Sequence, residues 1–265
     1  MNISISLQHF IKPHDQARFP LSFSSLRSRS RSRVVVVSAA TADDHHQQKQ
    51  PLKKKKLAEE MRMAAMKLHK KTDDGDKAAA AMAPAGLAIA EWEPTLEGYL
   101  KFLADTNLIY QALERIVDKA VFPQYAELRN TGLERSKGLA KDMEWLEQNG
   151  HSIPQPSSLG INYAHYLHQL SDKDPHAFIS HFYMTYFGHT AGGRIIGKKV
   201  EEKILNGKEL EFYKYQGELP QLLQNVRDKL NKIGEKWSRE EKDRCLLEIH
   251  NSFNLGSDIL RLVLF

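Results

Sequence analysis

Two short stretches hold residue types at spacings that chemistry could use. In EEMRMAAMKLHKK, Arg62 and His69 stand seven residues apart. Seven residues turn a helix through roughly 700°, back to within about 20° of the same face, and advance it ~10.5 Å. A flat ligand seated at the His69 ring, with acid groups at its edge, would span that distance. The second stretch, HFYMTYFGHTAGGRIIGKK, runs from His181 to Lys199 and reads as buried helix. It nevertheless carries Gly188, Gly192, Gly193 and Gly197. Each glycine in a helix interior costs about 1 kcal/mol relative to Ala, so the four together cost roughly 3–4 kcal/mol. Gly188 and Gly192 are four apart and share a face. Bare backbone there would let a large flat ligand lie on the helix and would let the helix kink. Close helix–helix packing would use the same glycines. A helical histidine is usually a surface or packed residue, and spacing alone does not choose between these readings.

The elements that must position these residues read as helices throughout. LAEEMRMAAMKLHKK has Glu59 and Glu60 in its first turn and Lys70 and Lys71 at its end, which matches the helix dipole. Residues 72–92 show no period and read as a flexible insertion before a helix over about 95–119 that Pro94 opens. Pro123 starts a further helix expected to reach Gly150. A loop, HSIPQPSSLG, and a short helix, INYAHYLHQL, come next. Asp174 followed by Pro175 gives an N-cap and a first-turn proline for a long segment to about 206. QLLQNVRDKLNKIGEKW is amphipathic, and Ser238 with Glu241 forms a capping box for the last helices. No alternating strand and no internal repeat is apparent. The expectation is an all-α single-domain bundle of roughly eight helices.

Bulk properties narrow the function. The 265 residues are 41% hydrophobic and 27% charged, with no apolar run near the ~20 residues of a membrane span. Mean hydropathy is −0.51. The single cysteine, Cys245, excludes an internal disulfide framework and a cysteine metal cluster, and is expected to pack inside a helix. The formal charge of +5 is misleading, because residues 1–42 hold six Lys and Arg against Asp15 alone and account for all of it. The rest of the chain sums to zero, so net charge does not point to nucleic acid. Residues 1–42 are Ser/Arg-rich and acid-poor, the composition of a plastid transit peptide, with VSAA at 37–40 as a processing-site candidate. An arginine–serine arm for RNA is the rival reading. Residues 43–56 are expected to form a disordered basic linker, in which His45 and His46 are too few for a metal site. No P-loop, dinucleotide fingerprint, nucleophile elbow or HExxH motif is present.

YMTYFGHTAGGRIIGKK resembles the distal-helix signature of the haem oxygenases, and EEMRMAAMKLHKK resembles their proximal helix. WEPTLEGYLKFLADTNLIYQALE, NTGLERSKGLAKDMEWL, ELEFYKYQGELPQLLQNVRDKLNK and ILRL resemble the plant, plastid-targeted branch in the same order. The resemblance covers residues 57–265 and implies haem b held between a proximal helix and a kinked, glycine-rich distal helix. It implies haem as both cofactor and substrate, opened with O2 at the α-meso carbon to biliverdin IXα, CO and Fe2+. Electrons would come from ferredoxin, a downstream bilin reductase would take the product toward the phytochrome chromophore, and the protein would work as a monomer in the plastid stroma.

By the same resemblance His69 is the axial ligand, as neutral imidazole. Gly188, Gly192 and Gly193 lie over the haem, and Gly197 has no role beyond packing. Arg62, Tyr183 and Arg227 match the propionate-holding positions, although a regular helix would put Tyr183 and Gly192 on opposite faces. Tyr110 matches a distal tyrosine that supports ordered water, and Phe253 is expected at the ring edge. Relatives outside plants carry Asp at the position of His189; a histidine there can donate and accept hydrogen bonds, or can simply pack. A plant subgroup that lacks the axial His suggests the alternative, a non-catalytic haem- or porphyrin-binding regulator. Lys198, Lys199, Lys203 and Lys208 are expected to form a basic docking face for acidic ferredoxin, against the plainer reading of a solvated helix face.

The N-terminal composition makes one direct prediction. A reporter fused to residues 1–60 should enter plastids, as scored by fluorescence microscopy in plant cells; retention in the cytosol or entry into the nucleus would refute the transit-peptide reading.

Overall fold

The computed structural model describes residues 55–73 and 92–264, with residues 69–73 described for their backbone only. The expectations for residues 1–42, 43–54 and 74–91 fall outside the described residues. Every regular element among the described residues is helical, as expected: α1 (Leu57–Asp73), α2 (Leu96–Lys119), α3 (Pro123–Ala126), α4 (Ser136–Gln148), α5 (Ser158–Lys173), α6 (Pro175–Gly188), α7 (Arg194–Lys203), α8 (Leu219–Glu235) and α9 (Arg239–Arg261). A π-helical turn, His189–Gly193, joins α6 to α7 without a break in the chain's helical path. A 3-10 turn at Glu211–Tyr213 precedes α8.

Helix ends follow local chemistry. Thr95, rather than Pro94, caps α2, its hydroxyl accepting from Gly98 N–H at 3.0 Å. Asp174 caps α6 by accepting from His176 and Ala177 N–H, with Pro175 in the first turn. Ser238 and Glu241 close the expected capping box on α9. The helix expected from Pro123 to Gly150 is broken. Asn130 and Gly132 take positive φ, and Glu134 folds back to accept from Thr131 N–H, its hydroxyl and Gly132 N–H. Glu114 of α2 then accepts from Arg135 and Ser136 N–H and starts α4 anew. The insertion expected over 72–92 is also shorter at both ends: α1 runs to Asp73, and Trp92 is 3% exposed in the core.

The core is built where α6 lies against α9 and α2 against α5, with α1 across α8 and α9. Leu57, Ala58 and Met61 are the buried face of α1. α6 is buried almost all round, through Phe178, Ile179, His181, Phe182, Tyr183 and Tyr186, which is the pattern of a central helix. Cys245 of α9 is buried and receives a hydrogen bond from Ser180, so it packs as expected. No helix of the described residues is long and apolar enough to cross a membrane.

α1 and α8 approach so closely that a Cβ at Gly234 would sit 2.6 Å from Leu57 Cβ. Gly234→Ala should therefore destabilise the fold by about 1–3 kcal/mol despite the better helix propensity of Ala, read as a lower urea midpoint. A stabilised variant would show that the α1–α8 contact is looser than described.

Candidate active site

The glycine-rich helix separates its glycines by function. A Cβ built on Gly188 or on Gly192 meets nothing within 4 Å, whereas one on Gly193 lies 2.7 Å from His189 Nδ1 and one on Gly197 lies 2.6 Å from the Tyr213 ring. Gly188 and Gly192 thus leave open space, while Gly193 and Gly197 permit close packing. The space is a cavity of about 240 Å³ whose wall includes Phe102, Tyr110, Gly188, His189, Gly192 and Phe253. That is below the ~300–1,000 Å³ of pockets that enclose a whole ligand, and suits one face or edge of a large ligand together with a few waters. The π turn lies along this wall. An i→i+5 turn widens the helix and marks functional sites more often than chance.

His189 sits in the π turn, its ring enclosed by aromatic neighbours. It stacks on Phe212 at 4.1 Å and on Tyr213 at 5.5 Å, with Tyr110 edge-on at 6.3 Å. Its Nε2 is 3.1 Å from the Phe212 carbonyl. A carbonyl only accepts, so Nε2 carries the proton and Nδ1 is left as an acceptor. Burial drives the pKa down to about 3, with the hydrogen bond to Phe212 opposing the shift only in part. The ring is neutral at working pH. The Phe212 turn is itself held, because Asp142 of α4 accepts from Glu211 and Phe212 N–H at 2.7 Å each. Burial raises Asp142 to about 6 against those two bonds. Tyr110, 2% exposed, donates to the Thr185 carbonyl at 3.4 Å, and Thr106 Oγ1 is a buried hydroxyl on the cavity wall without a protein partner. A buried polar atom of that kind calls for water or ligand.

A second group assembles where α1, α6 and α8 meet. Tyr183, 5% exposed, stacks on Phe187 at 4.5 Å, and the Arg227 guanidinium lies over the Phe187 ring at 5.3 Å. Burial raises the Tyr183 pKa, and the nearby charges of Arg227 and Arg62 draw it back down. Two guanidinium groups and a phenol converging from three helices suit a dianionic group. Arg62 meanwhile donates to Met66 Sδ at 3.1 Å, an exchangeable contact.

The structure therefore sorts the expected site residues into two sets. Tyr110, Gly188, His189, Gly192, Gly193 and Phe253 line one cavity; Arg62, Tyr183 and Arg227 gather at another point of the same helix and do not line it. His69 lies in the last turns of α1, and its side chain is outside the described residues. Sequence reasoning missed Thr106, Phe212, Tyr163 and Ser252, which reach the site from other helices or turns and carry no local signal, and Thr185, which lies on α6 itself one turn before Gly188. The expected docking lysines are largely engaged: Lys198 pairs with Glu201 and Glu202, Lys203 with Glu93, and Lys208 lies over the Trp145 ring. Acid side chains interleave with the base, so this face is mixed rather than basic.

Bare glycine backbone over a cavity, an arginine–tyrosine group for acid substituents and an orphaned buried hydroxyl fit haem bound along one helix. A family model described as Heme oxygenase matches residues 55–261, and the chain belongs to that family. Its relatives place it more closely: "Heme oxygenase 1, chloroplastic" of Oryza sativa subsp. japonica is 57% identical over 77% of this chain and 69% of its own length. The protein of the same name from Arabidopsis thaliana is 54% identical over 78% and 73%. The chain is thus a plant haem oxygenase of the chloroplast type, acting in haem degradation. The fold agrees with the solved haem oxygenase-1 of the cyanobacterium Synechocystis sp. PCC6803, at a TM-score of 0.62 and 18% identity over 78% of this chain and 91% of that one.

The depressed His189 pKa has a measurable consequence. The unfolded ring titrates near 6.5 and the folded one near 3, so the stability it contributes is present above pH 6.5 and is lost as pH falls. The loss approaches about 1.4 kcal/mol per pH unit. Urea unfolding between pH 7.5 and 5 should show that extra slope in the wild type and not in His189→Gln. Buried His181, also depressed, contributes equally to both, so parallel profiles would show that the His189 ring is solvated.

Proposed function

We propose that this chain opens haem at the α-meso carbon to biliverdin IXα, CO and Fe2+ with electrons from ferredoxin, and that the product feeds phytochrome chromophore synthesis through a bilin reductase. The observation that carries the reading is the open space over Gly188 and Gly192, together with Tyr183 of the same helical run, which feels the charges of Arg62 from α1 and Arg227 from α8. Haem, when bound, supplies both the iron that activates oxygen and the ring that is cleaved.

The residues divide the remaining work. His69 would hold the iron through a neutral imidazole nitrogen. Arg62, Tyr183 and Arg227 would hold the propionates, which fixes the ring's rotation and hence the meso edge presented. Gly188 and Gly192 leave room for small molecules, and Phe253 packs at the cavity edge. His189 is locked by Phe212 as a neutral acceptor through Nδ1. It can receive a hydrogen bond from water and orient it, but with its pKa near 3 it does not serve as an imidazolium donor. Tyr110 spends its proton on the Thr185 carbonyl and offers its oxygen as a further acceptor.

A second reading has support. "Probable inactive heme oxygenase 2, chloroplastic" of Arabidopsis thaliana is 45% identical over 65% of this chain and 58% of its own length. Haem binding without turnover is the alternative. The histidine at 69 and the higher identity to the relatives named heme oxygenase 1 favour the enzyme.

Titration of the protein with haemin should give a Soret band that saturates at one equivalent, and reduced ferredoxin should then yield bilin and CO. A band without bilin supports the second reading, and no band overturns both. Replacement of His69 separates ligation from packing. His69→Ala should keep haem bound, lower turnover on the order of 100-fold or more, and recover part of it with added imidazole. Full turnover without imidazole would remove His69 as the ligand.

A further inference from the structure

α6 carries a fully buried histidine that the roles above leave unused. His181 is 0% exposed and faces Tyr163 and Tyr166 from α5 and Glu248 from α9. Its Nε2 is 2.9 Å from Glu248 Oε1, and its Nδ1 is 2.9 Å from the Tyr163 hydroxyl. That hydroxyl lies 3.4 Å from Ser252 Oγ. Tyr163, Thr185 and Ser252 line the cavity beside Gly188. The Glu248 side chain, 19% exposed, reaches the surface. The series runs from solvent to the cavity wall without a gap.

Its polarity follows from its outer end. Glu248 Oε1 also accepts from Tyr166 O–H and Asn251 N–H at 2.8 Å each. Burial pushes the carboxyl up, but the bonds from His181, Asn251 and Tyr166 outweigh it and hold its pKa below the usual range. An ionised carboxylate only accepts, so His181 Nε2 carries the proton. Burial keeps the His181 ring neutral, so Nδ1 is bare and Tyr163 O–H donates to it. The Tyr163 oxygen is then left to accept, and its remaining partner, the Ser252 hydroxyl, donates. With that proton spent inside the wall, the Ser252 oxygen has its lone pairs left for the cavity it lines.

We propose that Glu248, His181 and Tyr163 are positioning residues that fix the Ser252 hydroxyl as an acceptor toward the cavity. A water anchored there gives one O–H to the wall and directs the other into the cavity. No bond is made or broken in the series itself. In a reaction that consumes protons, water held in that orientation is a ready donor. Only this last consequence rests on the haem oxygenase reading; the polarity of the series stands on its own.

Two measurements test it. Long-range 1H–15N correlation on the full-length chain without haem reads the tautomer, with His181 assigned by the signals lost in His181→Gln. The expected result is a neutral ring protonated at Nε2 at pH 7.5 and still neutral at pH 6, with an Nδ1–H population appearing in Glu248→Ala. An Nδ1-protonated ring or an imidazolium in the wild type overturns the proposal. In the haem-loaded protein, Tyr163→Phe should bind haem as before. Its ring opening should slow about tenfold, the worth of roughly one hydrogen bond, with an altered pH profile and solvent deuterium isotope effect. Ser252→Ala, which removes only the final hydroxyl, serves if Tyr163→Phe does not fold. Unchanged rate, pH profile and isotope effect in the folded variant overturn the positioning role. A wild type that binds haem but never opens it refutes the oxygenase reading and leaves the tautomer result intact.

Discussion

The packing of α6 against α9 is the interaction on which the site depends. A helix whose backbone is bared on one side has given up contacts there, and it keeps its place only if the other sides are strongly held. Phe178, Ile179 and Phe182 are each at most 2% exposed, and Cys245 and Ile249 of α9 are equally buried. At ~1.5–3 kcal/mol for each large apolar side chain removed from water, three such residues outweigh the roughly 3–4 kcal/mol that four helical glycines cost. Polar bonds add direction, since His181 to Glu248 and Ser180 to Cys245 tie the two helices in register.

Beyond Gly188 the hold passes from α9 to the 3-10 turn at 211–213. That turn has little helical stability of its own, being a single turn. It is fixed from behind by the Asp142 carboxylate and from the side by Arg135, whose guanidinium lies over the Tyr215 ring at 4.2 Å. The Phe212 carbonyl then fixes His189, and the Tyr213 ring fills the place that a side chain at 197 would take. Gly193 and Gly197 therefore serve the opposite purpose to Gly188 and Gly192: they let the helix be gripped where the latter leave it bare. The π turn falls at the change from one grip to the other.

Much of the fold was legible because its signals are local. The Asp174–Pro175 start, the Ser238–Glu241 box and the buried aromatic run at 181–187 lie within one turn of the residues they govern, whereas the burial expected to continue to Lys199 gives way to partial exposure from Gly188 to Ile195. The break between α3 and α4 was not legible, because Glu134 and Glu114 cause it by binding backbone donors, and Glu114 is about twenty residues away in sequence. The site was legible as residue types and less so as geometry. A regular helical projection set Tyr183 and Gly192 on opposite faces, and the structure keeps them apart: one belongs to the arginine group and the other to the cavity. The two sets address different parts of a large ligand, so opposite faces are no objection. The lysines after Gly197 read as a cluster in sequence, yet Glu93 and Trp145, which engage two of them, come from far earlier in the chain.

One helix thus presents two neutral histidines eight residues apart, and both are polarised in the same way. His189 gives its Nε2 proton to a carbonyl and His181 gives its own to a carboxylate, so each Nδ1 is an acceptor. For His189 that acceptor lies at the glycine turn; for His181 it acts through Tyr163 on the far wall. Neither ring can supply a proton without first being charged, and burial opposes that in both. The cavity wall supplied by this helix is therefore basic in the hydrogen-bonding sense and uncharged in the electrostatic one. Such a wall selects occupants that bring their own donors, and the smallest of these is water. A proton that crosses the cavity is then carried by ordered solvent, with the side chains setting the direction in which that solvent points.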